Sequence, residues 1–221
     1  MMGVILNKKM NPVFLFLEFA ALFIVTPLLL FVFASRMWIY MTIWGGGLYA
    51  FLSLRQMPGF SFHRLWYGRD WTAAERHFAF LRFLFLACLL TFLTLILVPE
   101  RFLRFPLEHF PLWLAVMILY PPLSIVPQEL FFRSFYFARY GNLFGEKRLG
   151  VLINGLLFGF AHIILNNWIA PTLVALGGLI LAHSYQQHRS LKWAVIEHTL
   201  YGCWIFTVGI GWYFFTGNWR S

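Results

Sequence analysis

Charge is scarce in this sequence. Asp, Glu, Lys and Arg make up 11% of its 221 residues, against roughly 25% in a soluble domain, which excludes an ordinary water-facing globule. Cysteine is nearly missing. Cys88 and Cys203 both stand within apolar runs, so a disulfide framework is excluded and packing is their expected role. Long polar stretches are absent as well. The longest, about 54–77, is too short to bury a core of its own. No internal repeat and no low-complexity segment occurs.

What is there is apolar. Hydrophobic residues make up 61% of the chain, with 27 Phe and 10 Trp. Runs of roughly 20 apolar residues span a bilayer, and only helices or closed barrels satisfy their backbone there. The expected fold is therefore all-α: one membrane domain over 1–221, a polytopic helical bundle of about seven to eight spans. Seven runs are candidates: 13–34, 38–54, 78–98, 110–138, 149–166, 169–187 and 192–216. The second and sixth are interrupted by glycines at 45–47 and by Gly177-Gly178. The last is long enough to divide in two. Lys8 and Lys9 precede the first run in the manner of a signal peptide. That run has 22 residues, longer than a signal core of roughly 7–15, and reads as a retained span.

The net charge of +9 is scattered between apolar runs and forms no stripe for nucleic acid. It reads as topology determinants and headgroup contacts. With the N-terminus in the cytoplasm, the inside holds Lys8, Lys9, Arg55, Arg64, Arg69, Arg76, Arg139, Lys147, Arg148, Arg189 and Lys192. The outside holds Arg36, Arg101, Arg104 and Arg220. Eleven against four favours that orientation. The expectation is an integral, multi-pass protein of a bacterial inner membrane, with the lipid bilayer as partner and no nucleic acid.

Polar residues within the spans carry the functional signal, because a charge at mid-bilayer is costly. They are Glu18, Arg82, Glu129, Arg133, Asn154, His162, His183, Glu197 and His198. Glu129 and Arg133 are four apart and share a helix face; alone they read as an ion pair that fixes packing. Pro121, Pro122 and Pro127 precede them and predict a broken helix beside a polar cavity. Asn154, Phe158, His162 and Asn166 recur every fourth residue as a stripe, while Gly155 and Gly159 allow a neighbouring helix to approach closely. His198 shares a face with Gly202. Its neighbour Glu197 points about 100° away and reads as an interfacial carboxylate. Arg82 and Glu18 are free to pair across spans. His183 is the candidate extra ligand, and His63, His77, His109 and His188 read as interfacial.

Glu129, His162 and His198 come from three helices. Such a set suits a divalent ion, zinc first, or direct polarisation of a water. Hydrolysis needs a base, a positioned water and an oxyanion stabiliser, and His198 suits the third role. Counted at ~1.5 Å per residue from the flanking charges, the three lie at unequal depths: Glu129 about 15 Å, His198 about 9 Å, His162 about 21 Å. Tilt or the proline break has to bring them level.

The stretches "QELFFR" (128–133), "FGFAH" (158–162) and "HTLYG" (198–202), in that order, resemble the CAAX prenyl-protease and bacteriocin-processing (CPBP, or Abi) family of intramembrane metalloproteases. That family carries Glu-Glu-xxx-Arg, then Phe-xxx-His, then a His followed four residues on by Asn. The resemblance covers roughly 111–205 and implies that these are the catalytic core helices. It implies hydrolysis of a peptide bond in a membrane-associated peptide or a prenylated or lipidated protein; family members also process bacteriocin or pheromone precursors or act in self-immunity. It places Glu129, Arg133, His162 and His198 in the catalytic set, with Gln128, Phe158, Asn154 and Gly202 in supporting positions. A metal, if bound, would sit on His162, His198 and Glu129. Two positions depart from the pattern. Gln128 replaces the first Glu, and a neutral amide cannot take a proton. Gly202 replaces the Asn and removes an oxyanion donor, leaving Asn154 or a backbone group as substitutes. Glu129 is then the expected base. The alternative expectation is a pseudo-protease that binds a membrane peptide, or confers immunity, without cleaving.

Overall fold

The computed structural model describes residues 11–33, 35–144 and 148–214; Lys8, Lys9, Lys147 and Arg220, used in the charge count, lie outside them. The described residues form helices α1 (Pro12–Phe33), α2 (Met37–Arg55), α3 (Phe62–Tyr67), α4 (Ala73–Leu97), α5 (Arg104–Glu108), α6 (Phe110–Phe144), α7 (Arg148–Leu165), α8 (Ile169–His188) and α9 (Leu191–Val208), with no strand among them. Six of these, α1, α2, α4, α6, α7 and α8, are long and apolar enough to cross a membrane. The starts follow local chemistry. Asn11 caps α1 ahead of Pro12, and Thr72 and Glu75 form a reciprocal capping box on α4.

The seventh expected span, 192–216, becomes the 18-residue α9. Lys192, Glu197 and His198 leave it short of the apolar standard that the other six meet. It tolerates them because it is an interior helix, packed against α3, α4, α5, α6 and α8. It stops at Gly209, whose φ of +108° suits glycine. A Cβ there would lie 2.2 Å from the carbonyl oxygen of Arg101.

The break expected at the prolines takes another form. α6 runs unbroken for 35 residues, to Phe144 instead of 138. It absorbs Pro121, Pro122 and Pro127 through two π-helical stretches, Pro121–Ile125 and Leu130–Phe135. A π-turn widens the helix by one residue and so rotates the side chains beyond it. Between the two lies a single α-helical segment, Val126–Glu129.

Glycines set the close approaches. A Cβ on Gly155 would lie 2.6 Å from Leu179 Cδ2, and one on Gly159 2.6 Å from Ala175 Cβ. The expected small-residue contact is therefore the α7–α8 interface. Gly47 of α2 faces Pro127 of α6, where a Cβ would come to 2.7 Å.

Two ion pairs tie the bundle together, with partners other than those expected. Glu18 accepts from Arg139 Nε and Nη2, each at 3.0 Å, and from the Tyr49 hydroxyl. Arg82 pairs with Glu197 and donates to the Tyr201 hydroxyl at 3.2 Å. Glu197 is thus a buried interhelical carboxylate rather than an interfacial one. His188 is also buried, against Trp71 and Arg69.

Candidate active site

Glu129 ends the α-helical segment between the two π-turns of α6 and is fully buried, at 0% exposure. Its Oε1 lies 2.8 Å from Nδ1 of His198 on α9. An ionised carboxylate only accepts, so Nδ1 carries the proton and Nε2 carries the lone pair. The other oxygen, Oε2, lies 3.3 Å from Arg133 Nε as an ion pair. The angle is not that of a hydrogen bond, and Oε2 with Arg133 Nε and Nη2 has no hydrogen-bond partner among the described residues.

Arg133 is itself 0% exposed. Its Nη1 donates to Asn154 Oδ1 at 2.7 Å, and Asn154 Nδ2 donates to the Phe132 carbonyl at 2.6 Å. Asn154 therefore clamps α7 to the backbone and guanidinium of α6. Its Oδ1 and one of the two Nδ2 hydrogens are thereby engaged in the fold.

Phe158 is the hub. Its ring lies 4.6 Å from the Arg133 guanidinium, meets His162 at 5.1 Å and meets His198 at 5.5 Å, perpendicular to the latter. Sequence periodicity put Phe158 in line with His162 but could not show that it also contacts α6 and α9. The stripe ends one turn early. α7 tightens to a 3₁₀ turn at Ala161–Leu165, and Asn166, at φ +52°, terminates the helix. His162 Nδ1 lies 2.8 Å from the Phe158 carbonyl. A carbonyl only accepts, so here too Nε2 bears the lone pair. Among the described residues, neither imidazole Nε2 has a hydrogen-bond partner.

Beside this cluster lies a cavity of about 320 Å³, walled by apolar side chains such as Leu30, Ile43 and Phe131 and by Gly46. Gln128 and His162 stand on its wall. Gln128 Nε2 donates to Ser124 Oγ at 2.7 Å, while its Oε1 has no partner among the described residues. The cavity thus meets an amide at 128, and the carboxylate of Glu129 is one residue further round the helix.

The set of Glu129, His162 and His198 does not fit a three-ligand metal centre. Among the described residues, no three His, Cys, Asp or Glu side chains gather closely enough to hold an ion. The structure joins Glu129 to His198 and sets His162 against Phe158, whereas a catalytic zinc typically takes three protein donors at one point. His183 adds none: it is exposed on α8 and bonded to Gln187.

The family comparison bears on these same helices. Residues 108–204 match the family described as Type II CAAX prenyl endopeptidase Rce1-like. This segment is similar to the CAAX prenyl endopeptidases. No curated protein and no solved structure matches the chain significantly. The matched segment holds all three motif stretches and every residue of the Glu129–His198–Phe158 cluster. The cavity also takes walls from α1 and α2, outside it. With six apolar helices, the chain is an integral membrane protein.

Sequence reasoning missed Tyr120. Its ring packs against Gly202, where a Cβ would lie 2.7 Å from Tyr120 Cε1. The glycine that departs from the family pattern is thus a seat for an aromatic ring from α6. An aromatic residue before Pro-Pro carries no sequence signal of that role.

Proposed function

We propose that the chain is a membrane-embedded endopeptidase that cleaves a peptide bond in the tail of a prenylated or otherwise lipidated protein. The observation that carries this reading is the buried Glu129–His198 hydrogen bond at 2.8 Å. It joins two helices and leaves a basic Nε2 on His198. Water gives a proton to that nitrogen while its oxygen bonds to the scissile carbonyl carbon. Glu129 fixes the tautomer and offsets the imidazolium charge, the part a carboxylate plays in a hydrolytic triad. The intermediate then expels the amine, which takes the proton back from His198. His162 Nε2 accepts the second water hydrogen and orients the attack. Arg133, paired with Glu129 at 3.3 Å, holds it in place. The base is therefore His198 coupled to Glu129, because Glu129 is wholly enclosed and His198 retains 7% exposure. The apolar cavity beside His162 suits an isoprenoid or acyl chain.

The test is cleavage of a fluorescent farnesylated C-terminal peptide by the purified protein in lipid vesicles. Glu129→Gln and His198→Gln are each expected to lower the rate by about 10²–10⁴-fold without loss of the folded protein. Full activity in either variant removes the assigned machinery.

One observation favours a second reading, a pseudo-protease that binds such a tail without cleaving it. Gln128, not an acid, faces the cavity. Gln128→Glu separates the two: a protein inert until this substitution is the pseudo-protease, and one already active is the enzyme.

A further inference from the structure

Tyr120 is the last α-helical residue before the π-turn Pro121–Ile125, and its ring packs against α9. Three successive turns of α9 hold the ring. It meets His198 edge-on at 6.4 Å and 86°, and Phe206 at 5.3 Å and 75°. Between them it fills the space over Gly202, where a Cβ would lie 2.7 Å from Cε1 and 3.1 Å from the hydroxyl oxygen. Positions 198, 202 and 206 are spaced by four and share one helix face. The hydroxyl therefore sits over the turn next to the proposed base. It has no hydrogen bond to any described residue. Tyr120 is half-buried, so its hydroxyl, of a kind that usually finds a partner in a protein interior, stays open to a group that approaches α9. A glycine at 202 and an unpaired phenol beside His198 together describe a donor held ready for a group that enters the site.

We infer that Tyr120 is a catalytic residue whose hydroxyl donates a hydrogen bond to the oxyanion of the tetrahedral intermediate. This rests on the hydrolytic reading of the Glu129–His198 pair. As the water oxygen bonds to the carbonyl carbon, the C=O π pair moves onto the carbonyl oxygen, and the phenol O–H of Tyr120 meets that developing charge. The pair returns to re-form the carbonyl when the amine leaves with the proton from His198. The phenol keeps its own proton throughout.

The experiment compares wild type and Tyr120→Phe in vesicles, by cleavage of the farnesylated peptide and by affinity for its phosphinate analogue, whose tetrahedral oxygens mimic the intermediate. Loss of one such donor typically costs about 10²–10³-fold in rate. Tyr120→Phe is therefore expected to lose kcat by that factor with KM unchanged, and to lose phosphinate affinity while affinity for the amide peptide stays the same. Gly202→Ala, which displaces the ring, should lower kcat in wild type and add little in the Tyr120→Phe background. Wild-type kcat or wild-type phosphinate affinity in Tyr120→Phe overturns the assignment. If wild type binds both peptides and cleaves neither, the hydrolytic reading falls. The phosphinate comparison then still decides for Tyr120, with equal affinity in the two proteins overturning it.

Discussion

His198 Nδ1 and Glu129 Oε1 lie 2.8 Å apart across 69 residues of chain. A carboxylate and an imidazole joined in this way act as one unit, so their losses do not add. Glu129→Gln combined with His198→Gln is expected to cost about as much in kcat as the worse single variant. A double-mutant cycle on peptide cleavage checks it, and additive losses would separate the two residues.

The α7–α8 contact sets the height of Phe158 and His162. Gly159 has Ala175 Cβ and the Pro171 carbonyl within 3 Å of where its own Cβ would be. Overpacking of this kind typically costs about 1–3 kcal/mol. Gly159→Val should lower the melting temperature in detergent and lower cleavage with it. Gly177, which has open space about its Cβ position, is the control: Gly177→Val should leave both unchanged.

Arg82 and Glu197 form a pair between α4 and α9, one residue from His198. Breaking a buried pair on one side leaves an uncompensated charge and typically costs about 3–5 kcal/mol. Arg82→Met should destabilise the fold strongly, whereas Arg82→Met with Glu197→Met should recover most of the loss. Thermal unfolding of the three proteins tests this, and a single variant as stable as the double would refute it.

The cavity beside Gln128 and His162 offers apolar walls to a lipid chain. Ile43→Trp fills part of that volume without touching Glu129 or His198. It should raise KM for a farnesylated peptide and leave kcat nearly unchanged. A peptide of the same sequence without the farnesyl group should be cleaved equally by both proteins.

Among the described residues, Glu129, His162 and His198 do not gather closely enough to hold a zinc as three protein donors. A chelator in the cleavage assay is therefore expected to leave the rate unchanged. Loss of activity restored by added zinc would mean that His162 and His198 recruit a third ligand from the substrate or solvent.

The sequence by itself determined a polytopic helical membrane protein, because scarce charge and runs of spanning length permit little else. It also identified the polar residues worth their cost in lipid, and it marked Gly155 and Gly159 as the seat of a neighbour, because small side chains at that spacing have a direct steric meaning. The contact of Glu129 with His198, and the packing of both His162 and His198 on Phe158, were decided by tertiary structure. Equal rise per residue put Glu129, His162 and His198 about 15, 21 and 9 Å deep. The π-turns of α6, the 3₁₀ end of α7 and the interior position of α9 change local rise and rotation, and a residue count is blind to all three. Partner choice was tertiary for the same reason: Glu18 joins Arg139, and Arg82 joins Glu197. Helix packing selects among charges that sequence presents as equivalent. Gly202 and Tyr120 make the point most plainly, since the use of a missing side chain depends on which ring arrives to occupy its place.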